Sequence, residues 1–236
     1  MTATASLPPL TDHASCTVLS GLFRGRLCQK LASGPARSLD AGELLYTMGQ
    51  PAESVYLVRR GLVKTSLVSP AGQELTLRLY PAGDILGELC LCTGERREQA
   101  AALEASEVVE IPLTSLLRQL RQEPQAALEF ASTVCEHLGE AHEGLRSLSF
   151  DPVSQRLARA LLGLADRLGE AGARGRRIAH YITQEELAQL IGARREVVSG
   201  LLNRLRADGL IGYTRRGLIE VDREALKAYV DSISET

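Results

Sequence analysis

The chain has 236 residues, 44% of them hydrophobic, and a formal net charge of −2 at pH 7, which favours two globular domains of ordinary size. No run approaches the roughly 18 apolar residues of a membrane span, and residues 1–15 contain neither the basic nor the apolar part of a signal peptide. The sequence therefore predicts a cytoplasmic protein without a membrane span. The five cysteines are odd in number and irregularly spaced, which excludes a disulfide framework.

Charge is unevenly distributed along the chain. Residues 1–150 carry a net charge of −4, whereas residues 151–236 carry +2. Within residues 174–216, nine arginines stand against four acidic residues, a net charge of +5. An acidic front half and a basic segment near the end indicate that only the C-terminal part contacts a polyanion.

Residues 37–112 are predicted to form short β-strands. The apolar runs Ser54–Val58, Val63–Val68 and Glu74–Leu79 alternate with turns in which glycine recurs every 4–12 residues. Prolines fall at the breaks between these runs, where a strand tolerates them. Short strands at this spacing are typical of a barrel or a sandwich.

The hydrophobic period changes after residue 112. A short helix is predicted over Leu113–Arg121, and a long helix over residues 124–150. The apolar residues of the long helix follow a 4-3-4-3-4-3 spacing, at Ala127, Ala131, Val134, Leu138, Ala141, Leu145 and Leu148. This seam predicts pairing with the same helix of a second chain in a parallel homodimer. The alternative is that the seam packs on the helix's own domain.

A second domain is predicted from Asp151-Pro152 onward, where Asp is a suitable N-cap and Pro a suitable first helical residue. That helix extends to about Leu168 and is followed by a loop, Gly169–Arg177, and a short strand, Arg177–Ile182. The predicted organisation is a flexible leader at residues 1–20, a sensor domain at 21–123, the long helix at 124–150 and a DNA-binding domain at 151–236.

Two consecutive helices in this second domain have the pattern of a helix-turn-helix. The first begins with a capping box, Thr183-Gln184-Glu185-Glu186, and ends at Gly192. The second extends from Arg194 or Arg195 to about Asp208. A small residue at the crossing, Ala188, and apolar positions on the second helix fit this geometry. The hairpin predicted at residues 212–221 is the candidate wing, and a last helix is predicted over Arg223–Ser232.

The start of the second helix presents side chains that can hydrogen-bond to base edges. They are Arg194, Arg195, Glu196 and Ser199. Arginine can pair with guanine O6 and N7, and glutamate can accept from cytosine N4. Gln184 and Arg204 are candidate contacts to the DNA backbone, as are Arg206, Arg215 and Arg216. The alternative is a solvated polar surface with an internal ion pair.

These residues identify a resemblance that covers residues 20–232. The run Pro81-Ala82-Gly83-Asp84-Ile85-Leu86-Gly87-Glu88-Leu89, the long helix and Arg195-Glu196-Val197-Val198-Ser199 resemble the cyclic-AMP receptor protein/FNR (CRP/FNR) family. The resemblance implies an α+β fold: an N-terminal cyclic-nucleotide-binding-like β-barrel of the jelly-roll type, a long dimerisation helix and a C-terminal winged helix-turn-helix. It also implies a palindromic double-stranded DNA site and contact with RNA polymerase. The family's third base-reading residue, an arginine, is Gly200 here, which puts the half-site sequence in doubt.

The resemblance also implies an effector pocket. Gly87-Glu88-Leu89 supplies the backbone turn and the glutamate expected at a ribose hydroxyl. Counting forward from Gly87 places Glu98-Gln99 where the family has the phosphate-binding Arg-Ser pair, and a carboxylate there would repel a phosphate. Counting back from the downstream strand places Glu95-Arg96 there, and this register is favoured because that strand matches better. Arg97 then replaces the usual serine.

Several effector hypotheses remain open. On the long helix, the two hydroxyl residues that contact adenine in the cyclic-AMP receptor align with Ala141 and His142. A cyclic nucleotide, a pocket filled by the chain's own side chains, a thiol sensor at Cys90 and Cys92, and a haem on His137 or His142 are the alternatives. On a strand, Cys90 and Cys92 would share one face.

Other function classes fit the sequence less well. No nucleophile elbow, P-loop or HExxH motif indicates an enzyme, and no metal site is predicted. A cyclic-nucleotide-binding regulatory protein that acts on a protein partner is the remaining alternative. The local charge of +5 and the helix-turn-helix pattern favour DNA binding.

Overall fold

The computed structural model describes residues 34–173 and 175–234, so the predicted leader at residues 1–20 and the first 13 residues of the predicted sensor domain lie outside the described residues. The strands are β1 (Ala36–Leu39), β2 (Leu44–Tyr46), β3 (Ser54–Arg60), β4 (Leu62–Val68), β5 (Glu74–Pro81), β6 (Ile85–Leu86), β7 (Gln99–Ala102), β8 (Ser106–Pro112), β9 (Gly169–Gly172), β10 (Gly175–Ile178), β11 (Ile211–Tyr213) and β12 (Ile219–Val221). The helices are α1 (Cys90–Thr93), α2 (Leu113–Gln122), α3 (Pro124–Phe150), α4 (Val153–Leu168), α5 (Gln184–Ile191), α6 (Arg195–Ala207) and α7 (Arg223–Ser234).

The first eight strands form two antiparallel four-stranded sheets, in the orders β1-β8-β3-β6 and β2-β7-β4-β5. The sheets do not join into one closed barrel, so the predicted barrel is a jelly-roll-like sandwich. Alternate residues of β3 face different cores because the side-chain period of a strand is two. Tyr56 and Val58 lie in the core between the sheets. Val55 and Leu57 lie in a second core, which also contains Leu116 of α2. The outer face of this sheet therefore carries the helices.

The long helix α3 has 27 residues and begins with Pro124 at an N-terminal position that tolerates proline. Within α3, which is described throughout, only Ala126 and Glu129 are buried. Leu138 and Leu145 of the seam are 55% and 65% exposed, respectively. The seam is thus largely uncovered by its own chain, which disfavours the alternative of packing within its own domain.

The junction between α3 and α4 differs from the prediction. Pro152, not Asp151, is the N-cap of α4. The Asp151 carboxylate instead accepts two 3.0 Å hydrogen bonds from Arg146 and one of 2.9 Å from Ser147 Oγ, and it lies 3.2 Å from Arg159 Nε. The guanidinium of Arg146 offers a bidentate, charge-assisted pair, so Asp151 clamps the end of α3 rather than capping α4.

The C-terminal half is a helical domain with a small sheet of order β11-β12-β10-β9. The predicted loop at residues 169–177 was wrong, since Gly169–Gly172 and Gly175–Ile178 pair as β9 and β10. The adjoining strand ends at Ile178 rather than Ile182. Strands β11 and β12 form the hairpin predicted as the wing. This domain buries its apolar residues in one cluster with Leu62 and Leu79 of the sandwich, so the two halves share a core.

Polar contacts join the two halves as well. Helix α5 packs on β5, and Lys64 Nζ donates a 2.7 Å hydrogen bond to Gln189 Oε1 of α5. Arg167 of α4 donates to the Leu79 carbonyl at 2.7 Å and lies 3.3 Å from the Glu140 carboxylate of α3. The orientation of the C-terminal domain is therefore fixed by both β5 and α3.

Gly61, between β3 and β4, provides a test of the packing within the sandwich. Its φ is +91°, and a Cβ there would lie 2.8 Å from Ser106 Cα. Gly72 also has a positive φ, +78°, but nothing lies within 4 Å of its Cβ position. Gly72→Ala should cost about 1 kcal/mol from backbone strain alone, and Gly61→Ala about 1–3 kcal/mol more because of the clash. Thermal unfolding of both variants measures this; equal destabilisation would contradict the packing at Ser106.

Candidate nucleic-acid interface and effector site

Helix α5 begins and ends at the residues predicted for the helix-turn-helix. Thr183 Oγ1 accepts a 3.1 Å hydrogen bond from the Glu186 amide, and Glu186 Oε2 accepts one of 2.6 Å from the Thr183 amide. This confirms the capping box, which satisfies two amides at the helix start. Ala188 and Val198 are buried where the two helices cross. The helix pair is therefore held by the small and apolar residues that the pattern identified.

Gly192 forms the turn, with a φ of +60°. A Cβ at this position would lie 2.9 Å from Leu148 Cδ2 of α3 and 3.5 Å from Leu75 Cδ1 of β5. Glycine is needed both for the left-handed backbone conformation and for the close approach of the long helix. Leu148, predicted as a seam residue, thus also packs against the turn of the DNA-binding motif.

The predicted base-reading side chains lie together at the start of α6. Arg194 is the N-cap residue, and Arg194, Arg195 and Glu196 are exposed. Ser199 lies one turn further on and is half-buried. Gly200 is exposed, and nothing lies within 4 Å of a Cβ built at this position. Packing therefore does not require a glycine there. The surface can present two guanidinium groups and one carboxylate to a partner.

The predicted backbone contacts surround this surface. Gln184 is half-buried at the first turn of α5, where free amides favour an anion. Arg204 is exposed on α6, and the guanidinium of Arg206 lies 5.8 Å from the Tyr213 ring of β11. Arg215 and Arg216 are exposed on the wing between β11 and β12. The arginines therefore extend from the second helix to the wing.

Arg96 is the centre of the candidate effector site. It is only 5% exposed and donates hydrogen bonds to the carbonyls of Ser54 at 2.8 Å and Gly87 at 3.3 Å. Its guanidinium lies 4.2 Å from the Tyr46 ring centre and 5.1 Å from that of Tyr56, within the range of cation–π attraction. All of these partners belong to the chain itself.

Two other predicted pocket residues are exposed, unlike Arg96. Arg97 is exposed although both of its neighbours are buried, and Leu89 is exposed as well; their places in the pocket stay predictions. Gly87 and Glu88, by contrast, lie beside Arg96 and the interior tyrosines.

Glu98 lies in the same interior and is 5% exposed. Its carboxylate accepts a 3.4 Å hydrogen bond from the Tyr46 hydroxyl. Burial, together with the nearby Glu88 carboxylate, raises the pKa of Glu98 to about 7. Burial likewise raises the pKa of Tyr46 and of Tyr80. The cluster thus contains the carboxyl groups of Glu88 and Glu98 beside the guanidinium of Arg96, and Arg78 adds a second buried guanidinium over the Tyr80 ring.

His137, not His142, reaches the sandwich from α3. Its Nδ1 lies 2.7 Å from Glu88 Oε1, and its ring packs edge-on against Tyr80 at 5.7 Å. His142 is exposed, and its place in the pocket stays a prediction. Position 142 lies five residues after 137, and on a helix this turns the side chain to another face. The position of His137 relative to the heptad seam could have indicated, from the sequence alone, that its side chain lies on the inner face of α3.

The cysteine prediction also changes. Cys90 and Cys92 lie on α1 rather than on a strand; Cys90 is buried and Cys92 exposed. They do not share a face, and burial raises the pKa of the Cys90 thiol, which disfavours the reactive thiolate. Over residues 34–173 and 175–234, no group of three or more His, Cys, Asp or Glu side chains is placed to hold a metal.

Two family models match the two halves of the chain. The cyclic nucleotide-binding domain matches residues 36–123, and the Crp-like helix-turn-helix domain matches residues 155–229. A protein named cyclic AMP receptor protein from Thermus thermophilus is 33% identical, over 80% of this chain and 85% of its own length. The anaerobic regulatory protein of Bacillus subtilis is 31% identical, over 78% of each chain.

Solved structures agree with these matches. TTHA1359, a CRP/FNR-family transcriptional regulator from Thermus thermophilus, is 28% identical with a TM-score of 0.68, and the match covers 84% of this chain and 100% of that one. The chain therefore belongs to the CRP/FNR family of transcription regulators, which are DNA-binding proteins rather than enzymes. None of the helices in the described part of the chain is long and apolar enough to cross a membrane.

The raised pKa of Glu98 predicts a pH-dependent stability. Because its folded pKa, about 7, exceeds the ordinary 4.5, its contribution to folding is complete below pH 4.5 and is lost as the pH rises through 7. The loss should be about 2–3 kcal/mol. Glu98→Gln keeps a partner for Tyr46 but cannot titrate, so its unfolding free energy should fall less between pH 5 and pH 8.

The control for this prediction is Glu95→Gln, which removes the same charge from an exposed neighbour. Denaturant unfolding at both pH values measures the difference. If the Glu98 and Glu95 variants have the same pH dependence as the unaltered protein, the proton is not held by Glu98.

Proposed function

We propose that this regulator acts as a cytoplasmic homodimer that binds a palindromic DNA site through α6 and recruits RNA polymerase there. The observation that carries the proposal is the exposed group Arg194, Arg195 and Glu196 at the start of the recognition helix α6. Side chains at this place in a helix-turn-helix enter the major groove, and arginine and glutamate read opposite hydrogen-bonding patterns there. Family membership implies DNA as the partner; the specific readers and RNA polymerase belong to the proposal.

The uncovered face of α3 supports the homodimer in this proposal. The seam residues Val134, Leu138, Leu145 and Leu148 are exposed large apolar side chains at heptad spacing, and Ala141 lies between them as a small, exposed residue. Apolar side chains at this spacing gain free energy when a second helix covers them. A two-fold axis along this seam would place two α6 helices on one face, about one DNA turn apart.

The base-reading proposal is tested with Arg195→Ala. The operator is first selected from random duplexes with the unaltered protein. On that site the variant should lose about 1–3 kcal/mol of binding free energy, because one guanidinium pair with a guanine is removed. On unrelated DNA it should lose far less. Fluorescence anisotropy at fixed salt measures both affinities.

Two control variants distinguish the loss of a base contact from the loss of a phosphate contact. Arg204→Ala should weaken binding to both DNAs similarly, because a phosphate contact carries no sequence information. Arg118→Ala removes an exposed arginine from α2, far from the motif in sequence, and should change neither. An equal loss on both DNAs for Arg195→Ala would show that this residue contacts only the backbone.

The dimer proposal is tested with Leu138→Glu, which places a charge in the middle of the seam. Burying an unpaired carboxylate against a second helix is unfavourable, so the variant should be monomeric at micromolar concentration, where the unaltered protein is dimeric. Leu117→Glu, at an exposed leucine of α2, should remain dimeric. Analytical ultracentrifugation decides between them, and a dimeric Leu138→Glu variant would locate the interface elsewhere.

A further inference from the structure

A buried polar pair joins the inner face of α3 to the interior of the sandwich. His137 Nδ1 lies 2.7 Å from Glu88 Oε1, and both side chains are about nine-tenths buried. Their remaining atoms, Glu88 Oε2 and His137 Nε2, are shielded and have no further hydrogen-bond partner among the described residues. Removal of either side chain would therefore leave the other buried and largely unpaired, which is unfavourable.

The guanidinium of Arg96, beside Gly87 in this interior, is likewise surrounded by groups of the chain itself. Two backbone carbonyls and two tyrosine rings surround its guanidinium. An incoming anion would have to break these contacts to reach it.

The charges around Arg96 oppose an anionic ligand. Glu98 and Glu88 both belong to this interior, and the Glu88 carboxylate adds to burial in raising the pKa of Glu98. The groups facing the His137–Glu88 pair come from every adjoining element: Tyr46 of β2, Tyr80 and Arg78 of β5, and Arg96 and Glu98 before β7. A cyclic phosphate would meet the Glu88 carboxylate, and the Glu98 carboxylate whenever that group is ionised, in a medium of low dielectric constant, where repulsion is strong.

We infer that His137 of α3 is a built-in ligand of the sandwich, which takes the Glu88 carboxylate that an effector would otherwise bind and holds the long helix in place without a cyclic nucleotide. The inference rests on the proposed function, because it concerns how DNA binding is set. The protein then binds its operator without any added nucleotide.

The contact is placed where it can influence the DNA-binding domain. His137 lies one turn before Glu140, which pairs with Arg78 of β5 and with Arg167 of α4. Further along, α3 ends at the Asp151 clamp and packs Leu148 against the turn at Gly192. A shift of α3 at His137 would therefore be transmitted to α4 and to the helix-turn-helix. His137 is a positioning residue in this scheme, since it touches no DNA.

The first experiment uses the full-length dimer and its selected operator, with no nucleotide, with 1 mM cyclic AMP or with 1 mM cyclic GMP, roughly a concentration that detects weak binding. We expect the same operator affinity in all three samples and no binding heat for either nucleotide. Operator binding that needs a nucleotide would overturn the inference and leave the proposed function intact. If no duplex is enriched in any sample, the proposed function itself fails.

The second experiment compares substitutions on α3. His137→Ala should weaken operator binding about tenfold, the scale of a lost charged hydrogen bond. Ser132→Ala, which alters an exposed side chain of the same helix, should leave it unchanged. His137→Gln retains a hydrogen-bond donor for Glu88, so this variant should recover most of the operator affinity that His137→Ala loses. If His137 only filled space, the hydrogen-bond donor would not matter.

A double variant checks that the two residues act through their contact. If they do, His137→Ala combined with Glu88→Ala should bind no more weakly than the worse single variant, because the pair is already broken. Additive losses, or an unchanged affinity for His137→Ala, would overturn the inference. If His137→Ala does not fold, the Gln variant and the nucleotide titration of the unaltered protein still decide it.

Discussion

The arrangement of this protein depends on the two unlike faces of α3. One face meets the sandwich through polar groups, His137 with Glu88 and Glu140 with Arg78, while the apolar seam is left exposed. An apolar seam of this length is unfavourable in water, so it favours a second copy of the helix. The polar face holds the helix on its own domain. It therefore also determines the direction in which the apolar seam points.

The second constraint is the shared core of the two halves. Leu62 and Leu79 of the sandwich belong to the same buried cluster as the helices of the DNA-binding domain, and Lys64 and Arg167 add polar contacts across the boundary. Packed cores have few arrangements of similar energy. The orientation of the recognition helix is therefore tied to β5 and α3 rather than left to the linker at Pro152.

The candidate effector site has the backbone turn that the family resemblance indicates, but its charged side chains are paired within the chain. Gly87 and Glu88 lie at the turn that family resemblance indicates, and Arg96 lies beside them. Each charged group there already has partners within the chain. The fold alone does not therefore indicate a bound nucleotide, and the side chains around Arg96 have to be considered one by one.

The sequence by itself determined the elements whose signals are local. The capping box at Thr183, the glycine turn at Gly192 and the heptad seam on α3 each depend on residues a few positions apart, so their patterns could be interpreted without the fold. The tertiary structure decided the rest, because it depends on which distant residues meet. Glu98 is buried beside Glu88, His137 rather than His142 turns inward, Cys90 and Cys92 separate on a short helix, and Asp151 binds Arg146 instead of capping α4. No local pattern specifies those pairs, since each is fixed by packing between elements distant in the chain or by competition among several polar partners.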